Sequence, residues 1–140
     1  MKKVILLFAF AALSLQNINA TKRIYTKNDS IRAEKIMKQA ASQPAGTNTI
    51  VYIGRQLLGV PYVAQTLEKG KTESLVINTI QLDCTTFVEN VLAMYLCVKN
   101  KTTRFADFCS NIQKIRYAGG KVSYPSRLHY FSTWIEDNTK

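Results

Sequence analysis

The stretch from Leu82 to Tyr95, LDCTTFVENVLAMY, constrains the fold more than any other part of the 140-residue chain. Beyond Cys84, apolar residues recur at steps of three and four, which is the spacing of one face of an α-helix. The recurring residues are Phe87, Val88, Val91, Leu92, Tyr95 and Val98. Because the opposite face is also largely apolar, the pattern predicts a helix at the centre of the domain, covered by other elements.

Four further segments have helical patterns that can supply this cover. The first has an apolar stripe formed by Ala33, Ile36, Met37, Ala40 and Ala41. Its predicted N-cap is Asp29 or Ser30. The second is predicted from Thr49 to Leu58 and stops at Gly59. The last two follow the central helix, with apolar positions at Phe105, Phe108, Cys109, Ile112 and Ile115, and at Phe131, Trp134 and Ile135.

Two segments are predicted to be extended. Leu75 to Leu82 contains valine and isoleucine, which favour a short strand that leads directly to Cys84. Lys121 to Phe131 is the second, broken at Pro125. A chain of this length normally forms one domain, so the sequence predicts a single, mostly helical domain.

The first twenty residues have the pattern of a secretory signal peptide. Lys2 and Lys3 precede an apolar run from Val4 to Leu15, and the small residue Ala20 ends the segment. The run is shorter than the ~20 residues that a membrane-spanning helix needs. We therefore predict a signal peptide over residues 1–20, a domain over residues 21–140, and export to the periplasm or the exterior. The alternative is an N-terminal core helix.

The formal net charge of +10 favours anionic partners, such as nucleic acid, anionic lipid or an anionic cell-wall polymer. The basic residues are scattered, without a dense run or interleaved aromatic residues, which argues against nucleic acid. Export argues against it too. One histidine and three dispersed cysteines lack metal-ligand spacing, so no metal or cofactor is predicted.

An exported chain with three cysteines leaves at least one thiol free or in an intermolecular link. Cys97 and Cys109 either form a disulfide or are small buried hydrophobic residues on helices. Cys84 stands at the predicted start of the central helix, where unpaired N–H groups and the helix dipole favour the nucleophilic thiolate. Asp83 opposes this electrostatically, unless its carboxylate turns back to cap the helix. The spacing therefore leaves two hypotheses for Cys84, a nucleophile or a buried structural residue.

A longer pattern bears on this choice. The residues Gly59-Val60-Pro61-Tyr62-Val63 and then Leu82-Asp83-Cys84-Thr85-Thr86-Phe87-Val88 resemble the NlpC-type superfamily of papain-like cell-wall cysteine hydrolases. In that superfamily a Gly-x-Pro-Tyr turn precedes an Asp-Cys-Ser/Thr helix start. The segment Ser126-Arg127-Leu128-His129-Tyr130-Phe131 and the following Trp134-Ile135 and Asp137-Asn138 resemble its N-acetylmuramoyl-L-alanine amidase-like branch. The resemblance extends from about Ile31 to the C-terminus. It implies an α+β fold, the helical N-terminal part of a papain-like domain with an incomplete antiparallel sheet.

The resemblance also implies a chemistry, the hydrolysis of an amide bond in peptidoglycan without a cofactor. Cys84 would be the nucleophile, and N–H groups at its helix start would help to hold the oxyanion. Tyr62 corresponds to the tyrosine that lies beside the cysteine in the superfamily. Together with Asp83, Arg127 and Tyr130, it is predicted to contact a muropeptide or peptidoglycan substrate. The bond would lie in the stem peptide or between the lactyl group and alanine.

The base for this reaction is harder to assign. In the resembling branch the catalytic histidine follows in a Gly-Asp-Ile…His-Val-Gly segment, whereas this sequence ends at Lys140 without one. We therefore expect a truncated chain with weak or no activity. His129 is the only histidine, so it is either the sole candidate imidazole base or a residue that packs near the cleft. The alternative function is a non-catalytic protein that binds muropeptide or is completed by a partner chain.

Overall fold

The computed structural model describes residues 21–139, so the predicted signal peptide lies outside the described residues. In this part of the chain, two short strands and five helices follow one another: β1 (Arg23–Ile24), α1 (Lys27–Ala41), α2 (Thr49–Gln56), β2 (Leu75–Val76), α3 (Cys84–Lys99), α4 (Phe105–Arg116) and α5 (Phe131–Asn138). The domain is therefore mostly helical with a small sheet, a mixed α+β fold. Within residues 21–139, no helix combines the length and apolar character that crossing a membrane requires.

The sheet differs from the predicted antiparallel one. β1 and β2 pair in parallel, with Arg23 opposite Leu75 and Ile24 opposite Val76. The predicted strand from Leu75 to Leu82 forms only over its first two residues. It ends there because the Asn78 side chain accepts hydrogen bonds from the backbone N–H groups of the second and third residues after it and turns the chain.

The predicted extended segment from Lys121 to Phe131 is also interrupted. Its middle forms a 3₁₀ turn, Tyr124–Ser126, with Pro125 in the first positions, where its fixed φ suits a helical turn. The Ser126 Oγ lies within hydrogen-bond distance of the backbone carbonyl oxygens of Lys121 and Ser123, so its proton closes the turn. What remains of the strand is one antiparallel bridge, between Tyr117 and Arg127.

The central position predicted for α3 is confirmed, because α1, α2 and α4 all pack against it. The face that it buries is not the predicted one. The buried residues are Thr86, Glu89, Asn90, Val91, Ala93, Met94 and Cys97. Of the predicted apolar stripe only Val91 is buried, and the rest is half-buried at the edge of the core. The inner face of α3 therefore carries polar groups that need partners inside the protein.

Helix α1 starts earlier than predicted. Its N-cap is Thr26, and Asp29 lies inside the first turn, where the two residues form a capping box. The prediction of a cap at Asp29 or Ser30 is therefore wrong. The apolar stripe is confirmed at Ala33, Ile36, Met37 and Ala40, which are buried, whereas Ala41 is exposed.

The two cysteines that follow Cys84 do not form a disulfide. Cys97 on α3 and Cys109 on α4 are both buried and both free. Their interpretation as small buried hydrophobic residues is confirmed, and they add to the packing between the two helices.

Candidate active site

Cys84 is the first residue of α3, and its side chain is exposed. Asp83 caps the helix: its Oδ1 accepts hydrogen bonds from the backbone N and the Oγ1 of Thr86, each at 2.8 Å. The Thr86 hydroxyl in turn accepts from the backbone N of Asp83 at 2.9 Å. The carboxylate thus turns back onto the helix, as one of the two alternatives for Asp83 requires. This cap does not use the backbone N–H groups of Cys84 and Thr85.

Tyr62 is held beside Cys84 by backbone pairing. The N–H of Leu82 donates to the carbonyl of Pro61, and the N–H of Val63 donates to the carbonyl of Leu82, both at 3.1 Å. This parallel bridge fixes the turn that carries Tyr62 next to the residues that lead into α3. An apolar pocket opens between them, lined by Leu57, Val60, Tyr62, Leu82, Asp83, Cys84 and Phe87. The structure therefore brings two predicted site residues, Tyr62 and Cys84, to one pocket.

A polar groove lies on the other side of Asp83. Its lining includes Asp83, Thr85, Thr86, Glu89, Arg127 and His129. Asp83 lines both the apolar pocket and the polar groove, so the start of α3 forms the ridge between them. Three predicted site residues, Asp83, Arg127 and His129, share the polar groove.

His129 is exposed and lies against the ring of Tyr124, with the ring centroids 4.5 Å apart. Its Nε2 is 3.0 Å from the backbone carbonyl oxygen of Tyr124. A carbonyl only accepts hydrogen bonds, so Nε2 donates and Nδ1 carries the lone pair of the neutral ring. Within residues 21–139 no hydrogen bond joins His129 to Cys84. In this arrangement, only Nδ1 of the neutral ring has a lone pair to accept a proton.

Arg127 is buried and has its own anionic partners. Its guanidinium lies 2.5 Å from Glu68 and 3.3 Å from Glu73, and it sits over the ring of Tyr124 at 5.2 Å. Two carboxylates neutralise its charge, so Arg127 forms part of the groove wall and is not a free cation for an anionic substrate. Tyr130 is 76% exposed at the N-cap of α5. Among the described side chains, it lines neither the apolar pocket nor the polar groove.

Residues 52–140 match the model of the AmiA-like family, described as N-acetylmuramoyl-L-alanine amidase-like. The match covers more than half of the chain. The chain belongs to this family. It resembles two solved structures of an N-acetylmuramoyl-L-alanine amidase from Bacteroides uniformis, with 41% identity and a TM-score of 0.58, and 44% identity and a TM-score of 0.55. These matches cover 77% and 61% of this chain and 40% and 38% of the solved chains.

A third similar structure is of a Bacteroides fragilis protein provisionally described as a xylanase. It shares 48% identity with a TM-score of 0.57, over 61% of this chain and 38% of that chain. No curated protein gives a significant match. The AmiA-like chain thus spans about two-fifths of the length of the solved structures that it resembles.

The sequence pattern of this AmiA-like chain does not predict the ion pair that lies at the base of the polar groove. Glu89 on α3 accepts two hydrogen bonds from Arg116 at the end of α4, at 2.9 and 2.7 Å, and both side chains are 2% exposed. Arg116 also donates to the carbonyl of Val76 on β2. Burial lowers the pKa of the Arg116 guanidinium, but Glu89 more than offsets this and holds that pKa above its ordinary value. The pair therefore ties α3, α4 and β2 together below the site.

Proposed function

We propose that Cys84 is the nucleophile of an amide hydrolase that acts on peptidoglycan. The observation that carries this proposal is the exposed thiol at the first position of α3, beside Tyr62 and behind the Asp83 cap. Membership of an N-acetylmuramoyl-L-alanine amidase-like family supports the substrate class. The NlpC-type, papain-like placement is part of the same proposal and is supported by the Gly-x-Pro-Tyr turn and the Asp-Cys-Thr helix start.

The chemistry follows from this position. The Cys84 thiolate attacks the amide carbon, forming an S–C bond and an oxyanion. The backbone N–H groups of Cys84 and Thr85 are not used by the Asp83 cap, so they are available to donate hydrogen bonds to that oxyanion. The C–N bond then breaks as the amine nitrogen takes a proton from solvent water and leaves as the neutral amine. A second water then attacks the thioester, which gives the carboxylic acid and the free thiol.

We propose that this chain alone is a slow catalyst. Proton transfer to the leaving amine by a positioned side chain is typically worth roughly 100- to 10,000-fold in rate. His129 is the only histidine, and its Nε2 is engaged by the Tyr124 carbonyl. In that arrangement the imidazole can transfer a proton only through Nδ1, unless the ring first breaks its hydrogen bond with the Tyr124 carbonyl.

The direct test is the release of new amino groups from purified sacculi. We expect slow release by the wild-type chain and none by Cys84→Ala. Release that is equally fast with Cys84→Ala would reject Cys84 as the nucleophile.

His129→Ala tests the base in the same assay. We expect it to lower the slow release only weakly, because His129 has no hydrogen bond to Cys84 in residues 21–139. Loss of all release with this variant would instead identify His129 as the base. Tyr124→Phe keeps the backbone carbonyl that Nε2 contacts and serves as the control.

A second candidate function is muropeptide binding without turnover. It is favoured by the polar groove and the apolar pocket, which meet at Asp83 whether or not a base is in place. If this is the function, muropeptide should slow the alkylation of Cys84 by iodoacetamide, and Cys84→Ala should bind muropeptide as tightly as the wild type. Equal alkylation rates with and without muropeptide would reject it.

Export is proposed as well. We expect intact mass spectrometry of the exported protein to show cleavage at or within a few residues of Ala20, because a charged start, a short apolar run and a small residue precede it. Retention of residues 1–20, or an added lipid mass, would contradict this prediction.

A further inference from the structure

Asp29 has more hydrogen bonds than a helix cap needs. It is 2% exposed in the first turn of α1, and its Oδ2 accepts from the backbone N and the Oγ1 of Thr26, at 2.8 and 2.6 Å. The first of these bonds, together with the bond from the Asp29 N–H to the Thr26 Oγ1, forms the local capping box. Its Oδ1 accepts two more, from the backbone N and the Oγ1 of Thr79, at 2.7 and 3.0 Å. The second pair joins α1 to a segment 50 residues later in the chain.

Thr79 belongs to the segment over residues 77–82 that leads from β2 to the Asp83 cap. The same segment is held on its other side by α3, because the Asn90 amide donates to the carbonyl of Asn78 at 3.2 Å. Its last residue, Leu82, makes the two backbone hydrogen bonds with the turn that carries Tyr62. One short segment therefore sets the positions of both Tyr62 and Cys84, and Asp29 is its anchor on α1.

We infer that Asp29 is a positioning residue for the Cys84 site. Its carboxylate holds the 77–82 segment through Thr79, and this segment places the helix start and the Tyr62 turn relative to one another. Asp29 lines neither the apolar pocket nor the polar groove and contacts no reacting atom. The importance of this role for catalysis rests on the proposed function, whereas the role itself is a matter of local structure.

The competing explanation is that Asp29 only stabilises the start of α1. Two matched variants separate the two explanations. Thr26→Ala removes the capping hydroxyl and its two hydrogen bonds with Asp29, but it leaves the two bonds that Asp29 accepts from Thr79. Asp107→Ala removes an aspartate from the same position in α4, where its hydrogen bonds go to the nearby Thr102 and Arg104.

The experiment is hydrogen exchange resolved to single amides, together with iodoacetamide labelling, on Asp29→Ala and the two controls. In Asp29→Ala we expect the amides of Thr79, Leu82 and Val63 to exchange about ten- to a hundredfold faster, as when a hydrogen bond to a buried charged group is lost. Amides within α4 should keep their wild-type rates. The labelling rate of Cys84 should change from its wild-type value, whereas Cys97 and Cys109 should stay buried and almost unlabelled. Neither control should change the 77–82 segment.

Faster exchange throughout the chain in Asp29→Ala, or the same local pattern in Thr26→Ala, would overturn the inference. If Asp29→Ala does not fold, Thr79→Val removes only the hydroxyl bond to Asp29 and should give a smaller effect at the same amides. Wild-type exchange there in Thr79→Val would also overturn it. These exchange results do not depend on turnover, so they stand apart from any failure of Cys84 as the nucleophile.

Discussion

At pH 8, iodoacetamide is expected to label Cys84 while Cys97 and Cys109 stay almost unmodified. Burial raises the pKa of both the Cys97 and the Cys109 thiol to about 11. A thiol three pH units below its pKa is only about one part in a thousand thiolate, and the thiolate is the reactive form. Burial also keeps the reagent away from these two sulfurs, whereas Cys84 is exposed.

The pH dependence of this labelling has a definite sign. Thiolate forms as the pH rises, so labelling of Cys97 and Cys109 should increase about tenfold per pH unit and level off only near pH 11, provided that the chain stays folded. Peptide mapping after brief treatment gives the three rates, and circular dichroism at each pH checks folding. Equal labelling of all three cysteines in folded protein at pH 8 would contradict an exposed Cys84 at the start of α3 with Cys97 and Cys109 buried.

The second large effect concerns the buried ion pair below the site. We expect Glu89→Ala to lower the free energy of unfolding by about 3–5 kcal/mol, because removal of one partner leaves the Arg116 guanidinium buried and unpaired. Urea unfolding followed by circular dichroism measures the change. The matched control is Lys38→Ala, which removes an exposed ion pair with Glu34 on α1 and is expected to cost at most about 1 kcal/mol.

Similar losses in the two variants would mean that the pair contributes no more than a surface contact. Replacing both partners with apolar residues of similar volume is expected to recover much of the loss, because no buried charge is then left alone. Such a double variant also tests whether the pair is needed for the arrangement of the site, through the labelling rate of Cys84.

The elements that follow from local pattern were predictable. The helix that starts at Cys84, the helix from Phe131 and the buried stripe of α1 all appear as the spacing of their apolar residues indicates. The Asp-Cys-Thr sequence was also compatible with Asp83 capping the helix, and the structure shows that cap. Local hydrogen bonds and periodicity are properties of short stretches, so one sequence contains enough information to predict them.

The features that depend on distant contacts were not predictable from pattern. The inner face of α3 includes Glu89 and Asn90, which a hydrophobic pattern assigns to the outside. They are buried because Arg116 and the Asn78 carbonyl supply their partners. The parallel pairing of β1 and β2 involves only two residues from each strand, too few for a sequence period. The second role of Asp29 depends in the same way on Thr79, far along the chain.

The most direct test of Cys84 as a nucleophile avoids the need for an acid on the leaving group. A muramoyl or stem-peptide acyl group with p-nitrophenolate in place of the amine has a leaving group that departs unprotonated, so attack by Cys84 is sufficient for acylation. Intact-protein mass spectrometry and peptide mapping measure the product. The account predicts one acyl group per chain, on Cys84, at a rate that saturates with reagent concentration, and none on Cys84→Ala. Acylation spread over lysines, or equally fast in Cys84→Ala, would contradict it.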